Sequence, residues 1–539
     1  MVKNYDNIFP FDKIRPQQKQ AIDFCIENFL KNDKRFCIIE AGTGVGKSAI
    51  GLTSARYLAD SLPENIKYQK GAYFLTTQKI LQEQYVNDFS SVVSLKSSSN
   101  YKCGYHKENS CAESQKMLKT AEKSSKFFKS CSFNCIYKKQ KQKFIDTSEG
   151  ITNFSYFLTE TNFSGKIIPR QVLVIDEGHN IESELSKFVE ISISEYFARS
   201  VLKIAFPQKL THYQMFLWVK DSYLPAASRR LKHYESTIET MGGEKMREKL
   251  GQFKDLTRHY DMLRGHIGKL KKFVNIHSTE NWVFETSSTE MRGYKKVSFK
   301  PIDVSLYAED TLFNMGEKIV IMSATIMNHE IFKRTLGITE DNSCFISLDS
   351  PFPKENRPVI FSSVGSMSAK NIDKTLPSLG KAIKEILSHH KDEKGIIHCK
   401  TYKIANYLKN YLNDSRILVH DSSNRDKVLE KHIKSKKNTV LLSPSMTEGV
   451  DLKGDASRFQ IICKVPYPYL GDKLIRKRMN SIKGWYELQT AKSIVQSAGR
   501  SIRSETDHAV TYILDGDFER FLKKGSHLFS SDFKKCILG

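Results

Sequence analysis

The sequence lacks any apolar run of about 18 residues, the length that a membrane-spanning helix requires. Its first residues, Met1 to Lys19, mix charged with apolar side chains and contain no apolar core of a signal peptide. Cysteine is scarce, because ten cysteines in a chain of 539 residues exclude a disulfide-stapled fold. We therefore expect an intracellular, cytoplasmic protein with no membrane association.

Acidic side chains are also few, since 60 Asp and Glu stand against 84 Lys and Arg and leave a formal net charge of +24. Such an excess suits a polyanionic partner, because each Lys or Arg set against a phosphate releases counterions. A lysine-rich surface that only keeps the protein soluble accounts for the charge equally well. The length allows about three or four domains of ~100–200 residues each.

A glycine-rich segment, Ala41–Ser48, directly follows the apolar run Phe36–Ile39 and precedes a predicted helix, Ala49–Asp60. A turn between strand and helix presents backbone amides to phosphates, and glycines let oxygen atoms approach where a Cβ would block them. Lys47 supplies a charge against the β and γ phosphates, and the Ser48 hydroxyl can ligate Mg2+. A glycine-rich turn without function would not need this combination, so the segment predicts ATP or GTP hydrolysis. The nucleotide-binding residues are Gly42, Thr43, Gly44, Gly46, Lys47 and Ser48.

A second apolar run, Val172–Ile175, ends in the carboxylates Asp176 and Glu177, and His179 follows. Asp176 is placed to hold Mg2+ through water, and Glu177 is placed to orient and deprotonate an attacking water molecule. Acidic residues at a strand end can instead cap a following helix. The glycine-rich loop upstream favours the catalytic interpretation.

Four of the ten cysteines are clustered with the spacing C-x7-C-x19-C-x3-C: Cys103, Cys111, Cys131 and Cys135. Four thiolates can hold a [4Fe-4S] cluster or a structural Zn2+, since both accept tetrahedral sulfur ligation. The spacing does not choose between the two metals, and four unrelated free thiols are the alternative. The other six cysteines are scattered singly, mostly in apolar runs.

Alternating strands and helices predict an α/β protein with two parallel sheets flanked by helices. In the first unit we expect further strands at Gly71–Thr77 and Lys318–Met322 and a helix at Gln78–Phe89. The lysine-rich cysteine segment interrupts this unit. So does a stretch of helical periodicity, with helices expected at Ala226–Met241 and Glu244–Lys272 and short strands at Trp282–Glu285 and Lys296–Phe299. The strands expected in the second unit are Pro358–Ser362, Gly395–Cys399, Arg416–His420, Thr439–Ser443, Phe459–Val465 and Ala509–Leu514.

The order of motifs resembles that of the superfamily 2 helicases. After the glycine-rich loop and Asp-Glu-x-His come Ser323–Thr325, then Glu-Gly-x-Asp ending at Asp451, then Gln-x-x-Gly-Arg-x-x-Arg from Gln496 to Arg503. The cysteine insertion, the later helical insertion and Ser350–Pro353 resemble the XPD/DinG family of iron-sulfur helicases. The resemblance extends over nearly the whole chain.

That resemblance implies two RecA-like motor domains with an inserted iron-sulfur domain and an inserted helical Arch-like domain. It places motor domain 1 in residues 1–96, 151–185 and 281–348, and motor domain 2 in residues 349–539. The iron-sulfur domain would occupy residues 97–150 and the Arch-like domain residues 186–280.

The resemblance also implies residue roles. A [4Fe-4S] cluster is expected on Cys103, Cys111, Cys131 and Cys135, with zinc as the minor alternative. Residues beside ATP are expected to include Arg15, Gln18, Gly449 and Asp451, with Arg500 and Arg503 as finger arginines that act with Lys47, Asp176 and Glu177 in catalysis. His179 and Gln496 would couple the ATP site to the strand-binding surface, and Thr76, Thr77 and Gln78 would contact the DNA backbone.

The function that this family implies is an ATP-dependent DNA helicase, translocating 5'→3' on single-stranded DNA and unwinding forked duplex DNA as a monomer. The short chain favours a stand-alone bacterial or phage-type enzyme, nucleoid-associated if bacterial. One alternative is an ATP-driven translocase on RNA or protein-coated DNA that does not unwind. A second alternative is a zinc-stabilised nucleic-acid-binding protein whose ATPase is vestigial.

Overall fold

This computed structural model describes residues 5–77, 79–118, 121–122, 124–163, 166–240, 250–288, 293–421, 424–444, 452, 454–499, 501–502 and 506–538. Among these residues, no helix combines the length and apolarity needed to cross a bilayer.

The first sheet begins with five strands in the first 175 residues, and helices connect them. The strands are β1 (Phe36–Ala41), β2 (Gln69–Thr76), β3 (Val93–Leu95), β4 (Glu149–Asn153) and β5 (Arg170–Ile175). The helices are α1 (Pro16–Leu30), α2 (Lys47–Ser61), α3 (Lys79–Asp88), α4 (Cys111–Leu118), α5 (Lys126–Phe133), α6 (Ile136–Asp146), α7 (Phe154–Phe163) and α8 (Ile181–Val189). Helices α4 to α6 form the cysteine segment between β3 and β4.

A helical insertion with its own small sheet follows α8. Its antiparallel strands, in the order β6-β8-β7, are β6 (Ile191–Ser194), β7 (Trp282–Ser288) and β8 (Lys295–Pro301). Its helices are α9 (His212–Trp218), α10 (Leu224–Thr240) and α11 (Leu250–Ile276). The helices expected at Ala226–Met241 and Glu244–Lys272 correspond to α10 and α11, but residues 241–249 lie outside the described residues. Of the strands expected after residue 280, β8 pairs with both β6 and β7, so both belong to the small sheet of this insertion. The proposed domain boundaries stay predictions.

Two more strands complete the first sheet, β9 (Gly316–Ser323) and β10 (Ser343–Leu348), accompanied by α12 (Ser305–Thr311) and α13 (His329–Leu336). The strand order is β10-β1-β9-β5-β2-β4-β3, and every neighbouring pair is parallel. Because all strands run the same way, the residues that follow β1, β5 and β9 meet at one edge of the sheet.

A second parallel sheet forms the rest of the chain. Its strands, in the spatial order β13-β14-β12-β15-β16-β11-β17, are β11 (Val359–Phe361), β12 (Gly395–His398), β13 (Ile417–Val419), β14 (Val440–Ser443), β15 (Phe459–Ile462), β16 (Val510–Ile513) and β17 (Ile537–Leu538). Its helices are α14 (Ile372–His389), α15 (Tyr402–Leu412), α16 (Arg425–Lys434), α17 (Lys473–Ser481), α18 (Trp485–Ala498), α19 (Asp517–Gly525) and α20 (Ser531–Lys534).

The packing of the hydrophobic core explains why the strands of the parallel sheets are continuous apolar runs in the sequence. Along β1, Phe36 and Ile38 join one hydrophobic cluster, while Cys37 and Ile39 join another on the opposite face of the sheet. A parallel strand covered by helices on both faces needs apolar side chains at every position. Glu40, a buried carboxylate in β1, departs from that pattern.

Candidate functional site

The glycine-rich loop joins β1 to α2 and turns through two residues with left-handed backbone. Gly44 has φ 88° and Gly46 has φ 86°, a region that residues with a Cβ rarely adopt. Helix α2 then begins at Lys47, so its free amides face the loop, where the helix dipole favours phosphate. The Lys47 ammonium lies 3.5 Å from the carbonyl oxygen of Ala41, across the loop.

The structure brings Arg15 and Gln18 to the same loop. The Arg15 guanidinium donates a hydrogen bond to the Gly44 carbonyl, and the Gln18 Oε1 accepts one from the Arg15 backbone amide at 2.9 Å. A Cβ added to Gly46 would lie 2.4 Å from Gln18 Nε2. The start of α1 therefore packs directly on the loop, with Gln18 in contact with it.

The paired carboxylates follow β5. Asp176 is buried, and each of its oxygens has a donor: Oδ1 accepts from the Glu177 amide at 2.9 Å and Oδ2 from the Tyr85 hydroxyl at 3.3 Å. Burial and the neighbouring Glu177 charge raise the pKa of Asp176 to about 6, while Lys47 acts in the opposite direction. Glu177 has a left-handed backbone, with φ 53°.

A line of polar contacts runs from Glu177 toward the second domain. His179 Nδ1 lies 3.3 Å from Glu177 Oε2 and 2.7 Å from the Ser323 hydroxyl at the end of β9. The Ser323 hydroxyl accepts from the Thr325 amide at 3.0 Å. Gln496 of α18 donates to the Thr325 hydroxyl at 3.3 Å, so the line reaches the second sheet.

A parallel contact strengthens this connection, because Lys492, one turn before Gln496 on α18, donates to the His179 carbonyl at 3.1 Å. Predicted residues from the Asp-Glu-x-His, Ser-Ala-Thr and Gln-x-x-Gly segments are therefore adjacent in space. The predicted residues Gly449, Asp451, Arg500 and Arg503 lie outside the described residues.

Sequence reasoning missed Glu40, whose signal is a charged residue inside an otherwise apolar strand. Its carboxylate accepts from the Met327 amide and, at 3.0 Å, from the Ser347 hydroxyl. Burial raises the pKa of Glu40 to about 7, against the effect of these hydrogen bonds. Met327, held in a left-handed backbone with φ 65°, packs into a hydrophobic cluster of the second domain. Glu40 thus fixes the segment that follows Ser323–Thr325 between the two domains.

Sequence reasoning also missed the position of Phe352, although Ser350–Pro353 contributed to the family resemblance. A Cβ on Gly44 would lie 2.1 Å from the Phe352 ring, and one on Gly42 would lie 3.2 Å from Ser350 Cβ. The other side of the ring packs with Ile502 of the second domain. The connection between the domains therefore lies directly on the glycine-rich loop.

The four clustered cysteines line one small cavity in the cysteine segment. The thiols of Cys111 and Cys135 lie 3.2 Å apart, and the Gln115 amide donates to Cys111 at 3.3 Å. Burial raises the pKa of Cys111 to about 12 and that of Cys131 to about 11. In the described part of the chain, no His, Cys, Asp or Glu side chains form a ready-made metal site of three or more ligands.

Comparison with protein-family models gives two partial matches. Residues 383–535 match the helicase C-terminal domain, and residues 12–206 match the type III restriction enzyme, res subunit. The first match falls on the second sheet, and the second includes the glycine-rich loop and Asp176–His179.

Curated relatives are named as helicases. The ATP-dependent DNA helicase YoaA of Haemophilus influenzae is 27% identical over 36% of this chain, and DinG of Photobacterium profundum is 25% identical over 43%. These alignments span only about a third of each relative, 32% and 36% of their lengths. The probable ATP-dependent helicase MJ0942 of Methanocaldococcus jannaschii is 23% identical over 95% of this chain and 92% of its own length.

Solved XPD structures share the fold. The structure titled XPD_Helicase matches with a TM-score of 0.63 at 16% identity, covering 96% of this chain and 99% of that one. The S. tokodaii Xpd4 structure matches with a TM-score of 0.55 at 16% identity, covering 97% and 99%.

The fold has two RecA-like α/β domains, as the sequence predicted, and the first of them carries the glycine-rich loop. The helicase C-terminal domain match, the relatives named as helicases and the XPD fold make the chain similar to the XPD/DinG type of superfamily 2 helicases.

Proposed function

We propose that this chain is an ATP-dependent DNA helicase that translocates 5'→3' on single-stranded DNA and unwinds duplex DNA. The observation that carries the proposal is the line of contacts from Glu177 through His179, Ser323 and Thr325 to Gln496. Through these contacts, a change at the Glu177 carboxylate can alter the position of the second domain relative to the first. The names of YoaA and DinG as DNA helicases support DNA as the substrate.

Hydrolysis needs phosphate binding, charge neutralisation and an oriented water. The α2 amides and Lys47 hold the phosphates, and Ser48 with Asp176 would hold Mg2+, which supplies charge neutralisation at the phosphates when bound. Asp176 fits this role because it is a buried carboxylate that would otherwise carry an uncompensated charge. Glu177 orients the attacking water and accepts its proton.

Movement follows from two domains that share one nucleotide. Phosphates on Lys47 attract Arg500 and Arg503 of the second domain, and hydrolysis removes that attraction, so the cleft opens. Phe352 and Gln496 border the cleft and transmit the change between the domains. Gly449 and Asp451 belong to the same cleft in this proposal, with Arg15 and Gln18 on the opposite side.

The DNA-facing part of the proposal rests on the family resemblance and on the position of the strand ends. Thr76 ends β2, which lies beside β5, the strand that Asp176 follows, and Thr77 comes directly after Thr76. A DNA backbone lying on Thr76 and Thr77 would thus be close to the ATP site. We expect a monomer that binds single-stranded and forked DNA and is located in the cytoplasm, at the nucleoid in a bacterium.

We propose further that Cys103, Cys111, Cys131 and Cys135 hold a [4Fe-4S] cluster. Four thiols around one cavity provide the sulfur donor set that such a cluster takes, and zinc accepts the same donors. The cluster would fasten α4, α5 and α6 to one another. This role is structural and enters no step of ATP hydrolysis.

Absorption spectra and metal analysis test the cluster. Protein purified without oxygen should be brown, with broad absorbance near ~400 nm. Cys135→Ser should lose this absorbance, and Cys344→Ser, which changes a cysteine of β10 outside the cavity, should keep it. Colourless protein that contains one zinc per chain would contradict the cluster and favour the zinc alternative.

ATPase and strand-displacement assays test the function. Wild-type protein should hydrolyse ATP faster with single-stranded DNA and should displace the strand from a duplex with a 5' tail but not from one with a 3' tail. Lys47→Ala should abolish both activities, and Lys31→Ala, which changes an exposed lysine directly after α1, should leave them intact. ATPase stimulation by DNA without strand displacement would favour a translocase that does not unwind. The same assays with RNA in place of DNA test RNA as the substrate. Wild-type ATPase no faster than Lys47→Ala would contradict the proposal.

A further inference from the structure

Tyr85 is a buried residue of α3 whose hydroxyl contacts Asp176, one of the two residues assigned to Mg2+. The hydroxyl donates to Asp176 Oδ2 at 3.3 Å. Asp176 follows β5 and Tyr85 lies in α3, so this contact joins two elements of the first domain. Its ring is fixed by Phe74 of β2 and Phe89, at centroid distances of 6.1 and 5.7 Å.

Helix α3 itself begins where the DNA backbone is expected. It starts at Lys79, directly after Thr77 and Gln78, the last two residues of the expected DNA contact. Only Gln82 and Tyr85 are buried along this helix. A displacement of the first turn of α3 therefore reaches the interior of the domain through these two side chains.

Gln82 anchors the helix to β3, the strand that precedes the cysteine segment. Its amide donates to the Ser94 hydroxyl at 2.8 Å and to the Leu95 carbonyl at 2.9 Å, both in β3. At the start of the helix, Lys79 donates to Asn100 at 2.9 Å, where the chain enters the cysteine segment. Helix α3 is thus held between the cysteine segment and the Asp176 carboxylate.

We propose that Tyr85 is a positioning residue that couples single-stranded DNA at the start of α3 to Asp176, the carboxylate assigned to Mg2+. This inference rests on the proposed function, because it requires DNA at Thr76–Gln78. With DNA bound, α3 is held in place and the Tyr85 hydroxyl orients Asp176 Oδ2. Without DNA, α3 has more freedom, and the ligand geometry is less well defined. A hydrogen-bond partner of a metal ligand contributes about tenfold or more in metal affinity.

The variant that isolates the hydroxyl is Tyr85→Phe, since phenylalanine retains the ring that packs on Phe74 and Phe89. The matched control is Tyr73→Phe in β2, which removes another buried hydroxyl that donates to the Ile168 carbonyl at 3.0 Å. Thermal unfolding of both variants without nucleotide establishes that they are folded.

Metal binding is measured without catalysis by titrating Mn2+, as the probe for Mg2+, into the ADP complex and following free Mn2+ by electron paramagnetic resonance. We expect Tyr85→Phe to bind Mn2+ about tenfold more weakly than wild type and Tyr73→Phe to bind like wild type. Mn2+ affinity of Tyr85→Phe equal to that of wild type would overturn the inference.

Coupling is measured as the Mg2+ concentration that half-activates ATP hydrolysis, with and without a thymidine oligonucleotide. We expect DNA to lower this concentration for wild type and Tyr73→Phe and to leave it unchanged for Tyr85→Phe. An equal DNA-induced shift in wild type and Tyr85→Phe would overturn the coupling. Wild type that shows no response of any kind to DNA would overturn the proposed function, and the coupling with it. The Mn2+ titration needs no DNA and would still decide whether Tyr85 positions Asp176.

Discussion

Two buried carboxylates, Glu40 and Asp176, dominate the electrostatics of this site at the scale of single residues. Burial raises the pKa of both, to about 7 for Glu40 and about 6 for Asp176. Bound Mg2+ would compensate the negative charge of the Asp176 carboxylate. Glu40 instead accepts hydrogen bonds from Met327 and Ser347, and its ionisation at neutral pH costs folding free energy.

We expect Glu40→Gln to stabilise the nucleotide-free protein at pH 8 and to have little effect at pH 5. A carboxyl group whose pKa is higher in the folded than in the unfolded protein stabilises the fold at low pH, and that contribution is lost as pH rises through about 7. Gln keeps one oxygen to accept from the Met327 amide, its NH2 can donate to the Ser347 hydroxyl, and it carries no charge, so the relief at pH 8 is on the order of 3 kcal/mol.

Calorimetric melting temperatures at the two pH values test this prediction. The exposed Glu64→Gln is the control, and its melting temperature should differ from that of wild type by the same small amount at both pH values. A Glu40→Gln effect that is independent of pH would contradict the prediction.

At the scale of elements, α8 of the first domain is bound to α17 and α18 of the second by a buried ion pair. Arg478 Nη1 lies 2.9 Å from Glu182 Oε1, and the Arg478 Nε donates to the Ile302 carbonyl at 2.9 Å. The Trp485 indole donates to both Glu182 oxygens at 3.0 Å. This contact holds the two domains together at a point away from the nucleotide.

We expect Arg478→Met to destabilise the protein by about 3 kcal/mol, because it leaves the Glu182 carboxylate poorly compensated between the domains. The double variant Glu182→Gln/Arg478→Met should regain part of this loss, since Gln can still accept from Trp485 and carries no charge. Calorimetric unfolding measures both.

The exposed pair Lys523–Glu519 provides the control, and Lys523→Met should change stability by less than about 1 kcal/mol. A double variant less stable than Arg478→Met would show that the Glu182 charge is not the cause of the loss.

Sequence patterns predicted most strands of the two parallel sheets and missed β3, β4, β10 and β17. The strand expected at Gly71–Thr77 is β2, and the helix expected at Gln78–Phe89 is α3. The three-residue β3 was missed, because its alternation is too short to separate from an apolar loop. Yet β3 matters, since Gln82 of α3 is hydrogen-bonded to it.

At the scale of the whole molecule, the net charge of +24 acts on every encounter with nucleic acid. Long-range attraction speeds association with a polyanion, and it weakens as salt screens the charges. In the proposed function, the cleft between the two sheets would bind DNA, and the excess of lysine and arginine would attract it without dependence on base sequence.

We therefore expect the affinity for single-stranded DNA to fall steeply with salt. With roughly five phosphate contacts, a rise from about 50 to about 200 mM salt should weaken binding about a hundredfold. Fluorescence anisotropy with oligonucleotides of equal length and different sequence measures both the slope and its independence of sequence. If the affinity for single-stranded DNA does not change with salt, the net positive charge serves only to keep the protein soluble.

The sequence by itself determined the strand-loop-helix of Ala41–Ser48 and the carboxylates after β5, because both are local patterns set by glycine geometry and apolar runs. Only the tertiary structure decided which residues complete the site. Tyr85 reaches Asp176 across 91 residues of sequence, His179 reaches Ser323 across 144, and Gln496 reaches Thr325 across 171. These contacts depend on strand order within a sheet and on the seating of one domain against the other. Local sequence propensity predicts neither the strand order nor the arrangement of the domains, because both are fixed by packing between segments distant in sequence.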